Sequence, residues 1–154
     1  MIIFIEGPDG SGKTTLIKQL SDLYPSLRVP KAAETPDIWK AILNLGRKAT
    51  VLTDRSPLTE LIYRMWDNGT SKFGYSNVLK WIGCGKLVYC STKTMFQDSI
   101  NRGEKLVTTK ADAERLERLY DTFVAGLKAE GIKVLYYNWQ ENCLDDVIKF
   151  IEEV

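Results

Sequence analysis

The chain has 154 residues, its apolar fraction is 44%, and its formal net charge at pH 7 is +1. These values predict a single globular domain over residues 1–154 and exclude a disordered or membrane-spanning chain. The near-neutral charge argues against nucleic acid as a partner. The sequence contains no histidine, which excludes His-dependent triads and His-containing metal sites.

The first apolar run leads into a glycine-rich segment. Residues 2–5 read IIFI, as in a buried strand, and residues 7–14 read GPDGSGKT. This is the pattern G-x-x-x-x-G-K-[ST] of a phosphate-binding loop. Glycines let successive backbone N–H groups point at one anion, and the helix that follows adds its positive dipole end. The residues expected at the phosphates of ATP are Gly7, Asp9, Gly10, Ser11, Gly12, Lys13, Thr14 and Thr15.

Further along the chain, short apolar runs alternate with helical patterns. Strands are expected at about residues 27–29, 51–53, 87–90 and 134–136. Helices are expected at about residues 13–25, 38–46, 56–65, 75–82, 93–102, 113–127 and 142–151. This alternation predicts an α/β protein with the three-layer P-loop NTPase fold, in which helices cover both faces of a five-stranded parallel sheet. Because Met1 leads directly into the first strand, leaving no room for a signal peptide, we expect a soluble cytoplasmic protein.

Candidate catalytic residues follow the predicted strands, since ligands of parallel sheets bind beyond the carboxyl ends of the strands. Lys13 can reach the β- and γ-phosphates, and the Thr14 hydroxyl with the Asp54 carboxylate can hold Mg²⁺. Arg55 can clamp an acceptor phosphate in a bidentate manner. The alternatives are that Asp54 pairs with Arg55 or caps a turn, and that Arg55 forms a surface ion pair.

The quoted motifs resemble those of thymidylate kinases, which are nucleoside monophosphate kinases of the P-loop kinase superfamily. Residues 4–15, FIEGPDGSGKTT, are similar to the opening of that family. Asp54 and Arg55, followed by Thr59 and Tyr63, stand at the spacing of its D-R-x-x-x-S-x-x-x-Y pattern. The resemblance implies transfer of the ATP γ-phosphoryl group to a deoxynucleoside monophosphate, with a dTMP-like acceptor favoured.

The same resemblance implies further roles at the acceptor and donor sites. Asp9 would contact the acceptor sugar, Arg55 would hold the acceptor phosphate, and Tyr63 would lie against the sugar or base. Since the phosphate loop contains no arginine, a lid at about residues 102–111 would supply the catalytic cation, with Arg102 as the candidate alongside Lys105 or Lys110. The resemblance places the ATP adenine beside Asn138 and Trp139. Among the aromatic residues, Trp66, Phe73 or Tyr75 could form a wall against the acceptor base.

Two departures from the family bear on the preference for thymine and leave the phosphoryl chemistry intact. The segment between Glu34 and Asp54 is shorter than the family's acceptor region, and Arg64 stands where many thymidylate kinases have a glutamine. Glu34 resembles the glutamate of an E-P…W stretch in deoxynucleoside kinases, where it would act as base toward a sugar hydroxyl. The alternative is an acidic residue at a helix start, which the helix dipole favours. A kinase of polynucleotide 5′ ends and a non-catalytic ATP-binding regulatory module are further alternatives. The sequence leaves a homodimer open.

Overall fold

Within the part of the chain that the structure describes, five short strands form one parallel sheet in the order β2-β3-β1-β4-β5. The computed structural model describes residues 1–8, 10–29, 36–66, 74–91 and 109–154. The strands are β1 (Ile2–Glu6), β2 (Ser26–Arg28), β3 (Val51–Asp54), β4 (Lys86–Cys90) and β5 (Val134–Tyr137). All four neighbouring pairs are parallel, which confirms the predicted five-stranded parallel sheet.

The helices of the described residues follow the predicted patterns, except that the first ends at Leu20 instead of near residue 25, because residues 21–24 form turns. They are α1 (Lys13–Leu20), α2 (Pro36–Gly46), α3 (Pro57–Trp66), α4 (Tyr75–Ile82), α5 (Lys110–Ala129) and α6 (Leu144–Glu152). The helix expected over 93–102 lies outside the described residues. No helix in the described part of the chain is long and apolar enough to cross a membrane.

The central strand β1 is buried on both faces and divides the core into two layers. Ile2 and Phe4 face one hydrophobic cluster, which α2, α3, α4 and α5 cover. Ile3 and Ile5 face the other cluster, which α1 and α6 cover. Alternate side chains of a strand point to opposite faces, so the apolar run at residues 2–5 of β1 requires helices on both sides of the sheet. The structure therefore confirms the predicted three layers.

The strand registers bring the ends of the central strands to one edge of the sheet. Ile5 is aligned with Asp54, Glu6 with Tyr89, and Cys90 with Tyr137. The segments that follow these strands therefore emerge side by side. They include the phosphate loop, the turn at Arg55 and residues 138–142.

Gly85 lies where the turn after α4 enters β4, against the backbone of β1. A Cβ atom added at Gly85 would stand 2.1 Å from the carbonyl oxygen of Ile2. A backbone carbonyl of the central strand cannot move aside without disturbing the sheet. A side chain at this position is therefore excluded by contact rather than by backbone conformation.

We predict that Gly85→Ala lowers the free energy of unfolding by roughly 2 kcal/mol or more, because the added methyl overlaps a core backbone atom. Urea denaturation measures this change. Gly74→Ala is the control, since no described residue apart from its chain neighbours would have an atom within 4 Å of a Cβ at Gly74, and its cost should stay below about 1 kcal/mol. Equal costs for the two substitutions would contradict the close approach at Gly85.

Candidate active site

The phosphate loop has the backbone conformation that its glycines allow. Gly7, Gly10 and Gly12 have φ angles of 146°, 82° and 94°, which favour glycine because other residues would be strained there. At Gly7 a Cβ atom would also stand 2.6 Å from the carbonyl oxygen of Cys90. The loop therefore curls tightly between the end of β1 and the start of α1.

The side chains expected at the phosphates differ in their burial. Lys13 is the first residue of α1 and is buried, with 8% of its surface exposed, whereas Thr14 and Thr15 are exposed. Ser11 is buried, and its hydroxyl oxygen has no hydrogen-bond partner within the described residues. The start of α1 thus presents one lysine and two accessible hydroxyls at the mouth of the loop.

A strained turn follows β3. Arg55 is the only residue other than glycine with a positive φ in the described ranges, at 107°. Its N–H donates to the carbonyl oxygen of Ile5 at 3.1 Å, and its own carbonyl oxygen accepts from the Thr53 hydroxyl at 2.8 Å. Such a conformation costs about 1–3 kcal/mol and persists only where the surroundings enforce it. The side chain of Arg55 is therefore carried by a backbone that hydrogen bonds fix at the end of β3.

Cys90, the last residue of β4, lies near three charged groups at the carboxyl ends of the strands. Burial raises the pKa of its thiol to about 12; nearby Lys13 lowers the pKa, whereas Glu6 and Asp54 raise it. All three charges therefore lie close enough to act on one sulfur atom. Lys13 and Asp54, which the sequence placed at the donor phosphates and at Mg²⁺, converge on the same edge.

Glu6 was not expected from the sequence as a site residue. It is fully buried at the end of β1, and its carboxylate accepts hydrogen bonds from backbone and side-chain donors. A signal was present, because a carboxylate that closes an apolar buried strand must find partners inside the protein. The phosphate-loop motif begins one residue later, at Gly7, and does not include Glu6.

Tyr63 and Trp66 occupy different environments on α3. Tyr63 is half-buried and lies one turn after Thr59, whose hydroxyl contacts Glu6, so Tyr63 belongs to the helix face nearest the site. Trp66 is buried in the core, and the guanidinium carbon of Arg115 lies 4.6 Å from the centre of its ring. Trp66 is therefore covered by a cation, whereas Tyr63 keeps partial access to solvent.

The turn after β5 brings an indole to the phosphate loop. The side-chain oxygen of Asn138 accepts from the backbone N–H of Gln140, and the backbone N–H of Asn138 donates to the side-chain oxygen of Asn142. These bonds fix the turn that carries Trp139, which is 48% exposed. A Cβ at Gly12 would stand 3.0 Å from Cδ1 of this indole. Trp139 thus lies directly beside the loop.

Several predicted site residues fall outside the described part of the chain. They are Asp9 in the phosphate loop, Glu34, Phe73, Arg102 and Lys105. Lys110, the third candidate for the lid cation, is the exposed first residue of α5.

Comparisons with known proteins identify the fold but not a family. No protein-family model matches the sequence, and the curated proteins give no match either. Among solved structures, the chain is similar to the YorR protein from Bacillus subtilis in complex with phosphorylated GDP, with a TM-score of 0.71 and 18% identity over 97% of this chain and 92% of that one.

Two kinases show the same fold. Deoxyadenosine kinase from M. mycoides with bound dCTP has a TM-score of 0.68 and 17% identity, with complete coverage of both chains. Shikimate kinase from Acinetobacter baumannii in complex with shikimate has a TM-score of 0.55 and 17% identity over 96% of this chain and 88% of that one. The chain therefore shares its α/β fold with these two kinases. The resemblance of the sequence to thymidylate kinases remains a prediction.

The strain at Arg55 generates a stability prediction. Arg55→Gly and Arg55→Ala both remove the guanidinium, but only glycine relieves the positive φ. We expect the Arg55→Gly chain to have the higher free energy of unfolding by about 1 kcal/mol or more. At a position with a negative φ inside a helix or strand, the alanine variant would instead be the more stable one, by about 0.5–1 kcal/mol. Urea denaturation of the two variants measures the difference, and a more stable alanine variant would contradict the strained conformation.

Proposed function

We propose that this protein is an ATP-dependent nucleoside monophosphate kinase that phosphorylates a deoxynucleoside monophosphate, with a dTMP-like acceptor favoured. The observation that carries the proposal is the strained Arg55, held at the same sheet edge as the phosphate loop. Proteins retain such strain mainly at functional sites. An arginine fixed beside a triphosphate site suits an acceptor that is itself an anion.

The donor side has the groups that a triphosphate requires. The three positive-φ glycines of the phosphate loop and the start of α1 direct backbone N–H groups and a positive dipole end toward an anion. Lys13 would contact the β- and γ-phosphates. The accessible Thr14 hydroxyl and the half-buried Asp54 carboxylate are oxygen ligands of the kind that Mg²⁺ prefers. When bound, Mg²⁺ would neutralise charge on the β- and γ-phosphate oxygens.

The acceptor side would be built from the turn after β3 and the first turns of α3. Arg55 would hold the acceptor phosphate, Tyr63 would contact its sugar or base, and Asp9 would contact the sugar. An oxygen of the acceptor phosphate then attacks the γ-phosphorus as the bond to the β-phosphate oxygen breaks, which releases ADP. Since that oxygen is already ionised, the transfer needs no general base. Arg102 remains the candidate for a cation that closes on the transferred group.

Trp139 is the candidate platform for the adenine of ATP. Its exposed indole beside Gly12 offers a flat apolar surface next to the phosphate loop. Stacking on an aromatic side chain accepts any nucleobase. This surface supports ATP as the donor without excluding other nucleoside triphosphates. The fixed Asn138 turn would orient the indole.

Deoxynucleoside kinase activity is the second candidate. It is supported by the full-length structural similarity to deoxyadenosine kinase from M. mycoides. In this reaction a neutral sugar hydroxyl would be the nucleophile, so a base such as Glu34 would be needed. A regulatory ATP-binding module is a weaker alternative, since ATP binding alone gives no reason to keep Arg55 strained.

A panel of acceptors tests the proposal. The purified chain is given Mg-ATP with each deoxynucleoside and each deoxynucleoside monophosphate, and ADP release is measured by a coupled assay. We expect turnover with monophosphates, highest with dTMP. Turnover with nucleosides alone would favour the second candidate. Saturable ATP binding without any transfer would favour the regulatory module.

The Lys13→Ala chain is the negative control for this panel. Lys18→Ala, on the same helix, is the matched variant that should remain active. Removing a preorganised charge at the phosphates should lower kcat by roughly 10²-fold or more. Turnover that survives Lys13→Ala would indicate a contaminating kinase or another phosphate site. The Lys18→Ala chain should keep normal turnover.

Arg55→Ala tests the acceptor clamp separately. We expect the acceptor KM to rise by roughly tenfold or more, since a hydrogen bond to a charged group contributes about 1.5–3 kcal/mol, while the ATP KM stays within about twofold. Steady-state kinetics with one substrate varied at a time measure both constants. Arg47→Ala, on the exposed turn after α2, is the control. An unchanged acceptor KM in the Arg55→Ala chain would remove Arg55 from the acceptor site.

A further inference from the structure

The carboxylate of Glu6 collects hydrogen bonds from three separate parts of the chain. Its Oε1 accepts from the N–H of Gly7 at 3.1 Å and from the hydroxyl of Tyr120 at 3.3 Å. Its Oε2 accepts from the N–H and the hydroxyl of Ser56, at 3.0 and 2.5 Å, and from the hydroxyl of Thr59 at 2.6 Å. These donors belong to the phosphate loop, the start of α3 and the middle of α5.

This carboxylate has no capacity left for a substrate. A carboxylate has about four lone-pair positions, and five donors already surround Glu6. Its side chain is also fully buried. Glu6 therefore does not act on a substrate proton in this arrangement. The five bonds instead hold protein groups in place.

The groups that Glu6 holds are next to both halves of the proposed site. Gly7 is the first residue of the phosphate loop. Ser56 directly follows Arg55, and its hydroxyl also accepts from the N–H of Leu58, which caps the first turn of α3. One carboxylate thus links the donor loop to the backbone that carries the acceptor arginine.

The strained φ of Arg55 needs such an anchor. On one side, the N–H of Arg55 is tied to the carbonyl oxygen of Ile5, in the strand that Glu6 ends. On the other side, the N–H of Ser56 is tied to the Glu6 carboxylate itself. Arg55 is therefore fixed at both ends to neighbouring residues of β1 and cannot relax to a negative φ without breaking one of these bonds.

We infer that Glu6 is a positioning residue that sets Arg55 at a fixed place relative to the phosphate loop, an inference that rests on the proposed function. Donor and acceptor phosphates must be aligned closely for transfer, and a misplacement of about 1 Å costs on the order of 10²-fold in rate. Glu6 supplies this alignment because its Oε1 binds the N–H of Gly7 in the phosphate loop and its Oε2 binds the N–H of Ser56 next to Arg55. Tyr120 extends the same link to α5.

A pair of substitutions at Thr59 tests the inference. Thr59→Val keeps the shape but removes the donor to Oε2, whereas Thr59→Ser keeps the donor. We expect Thr59→Val to raise the acceptor KM by roughly tenfold, which corresponds to about 1.4 kcal/mol, and to leave the ATP KM within about twofold. Thr59→Ser should restore the acceptor KM to within about twofold of wild type. A purely structural role would not separate the two Michaelis constants.

A second pair on the side of α5 keeps the test decisive if Thr59→Val folds poorly. Tyr120→Phe removes the donor to Oε1. Tyr89→Phe is its control, because Tyr89 stacks on Tyr120 with ring centres 6.1 Å apart but donates to Asp121 instead of Glu6. We expect only Tyr120→Phe to raise the acceptor KM, by about threefold to tenfold, since its bond to Glu6 is the longest of the five.

The outcomes distinguish this inference from the proposed function. An active wild type whose acceptor KM is unchanged by Thr59→Val and by Tyr120→Phe would overturn the positioning role and leave the function standing. Equal effects of Tyr120→Phe and Tyr89→Phe would assign the loss to the docking of α5 and overturn the role as well. A wild type that transfers to no acceptor would overturn the proposed function, and the inference with it.

Discussion

A carboxylate without access to water governs the organisation of this site. Burying the charge of Glu6 is costly unless the chain supplies hydrogen-bond donors, and the protein supplies five. Gly7, Ser56 and Tyr120 are held in one arrangement as a result. The parallel sheet brings the ends of β1 and β3 together, and Glu6 then fixes how the segments beyond those ends face each other.

At Arg55 the backbone strain lowers stability, while the proposed function requires an arginine there. Its backbone is held at a φ that glycine would adopt without strain, yet glycine has no guanidinium to offer an anion. Natural proteins accept such local costs at binding sites and offset them elsewhere. Here the offset lies in adjacent bonds, from Arg55 to Ile5 and from Ser56 to Glu6. The strain is therefore informative about the candidate site, whereas the fold is shared with two kinases of different named substrates at 17% identity.

Much of the fold was predictable because its signals are local. The apolar run of β1 predicted a central strand, and Ser56 predicted the start of α3, where its hydroxyl caps the N–H of Leu58. The bounds of α4 agree with the expected 75–82. The candidate site was predictable only in part. Lys13 and Asp54 follow from motif and strand position, whereas nothing local indicated that Trp66 would be buried beneath Arg115.

By itself the sequence determined the parallel α/β architecture and the phosphate loop, because hydrophobic period and glycine spacing act over a few neighbouring residues. Only the tertiary structure decided which groups donate hydrogen bonds to the carboxylate of Glu6. Glu6 meets Thr59 and Tyr120 across 53 and 114 residues of chain, and no periodicity encodes a contact over such separations. Likewise, the strain at Arg55 arises from bonds to another strand. Its φ could not be read from the residue type, which on its own favours a negative angle.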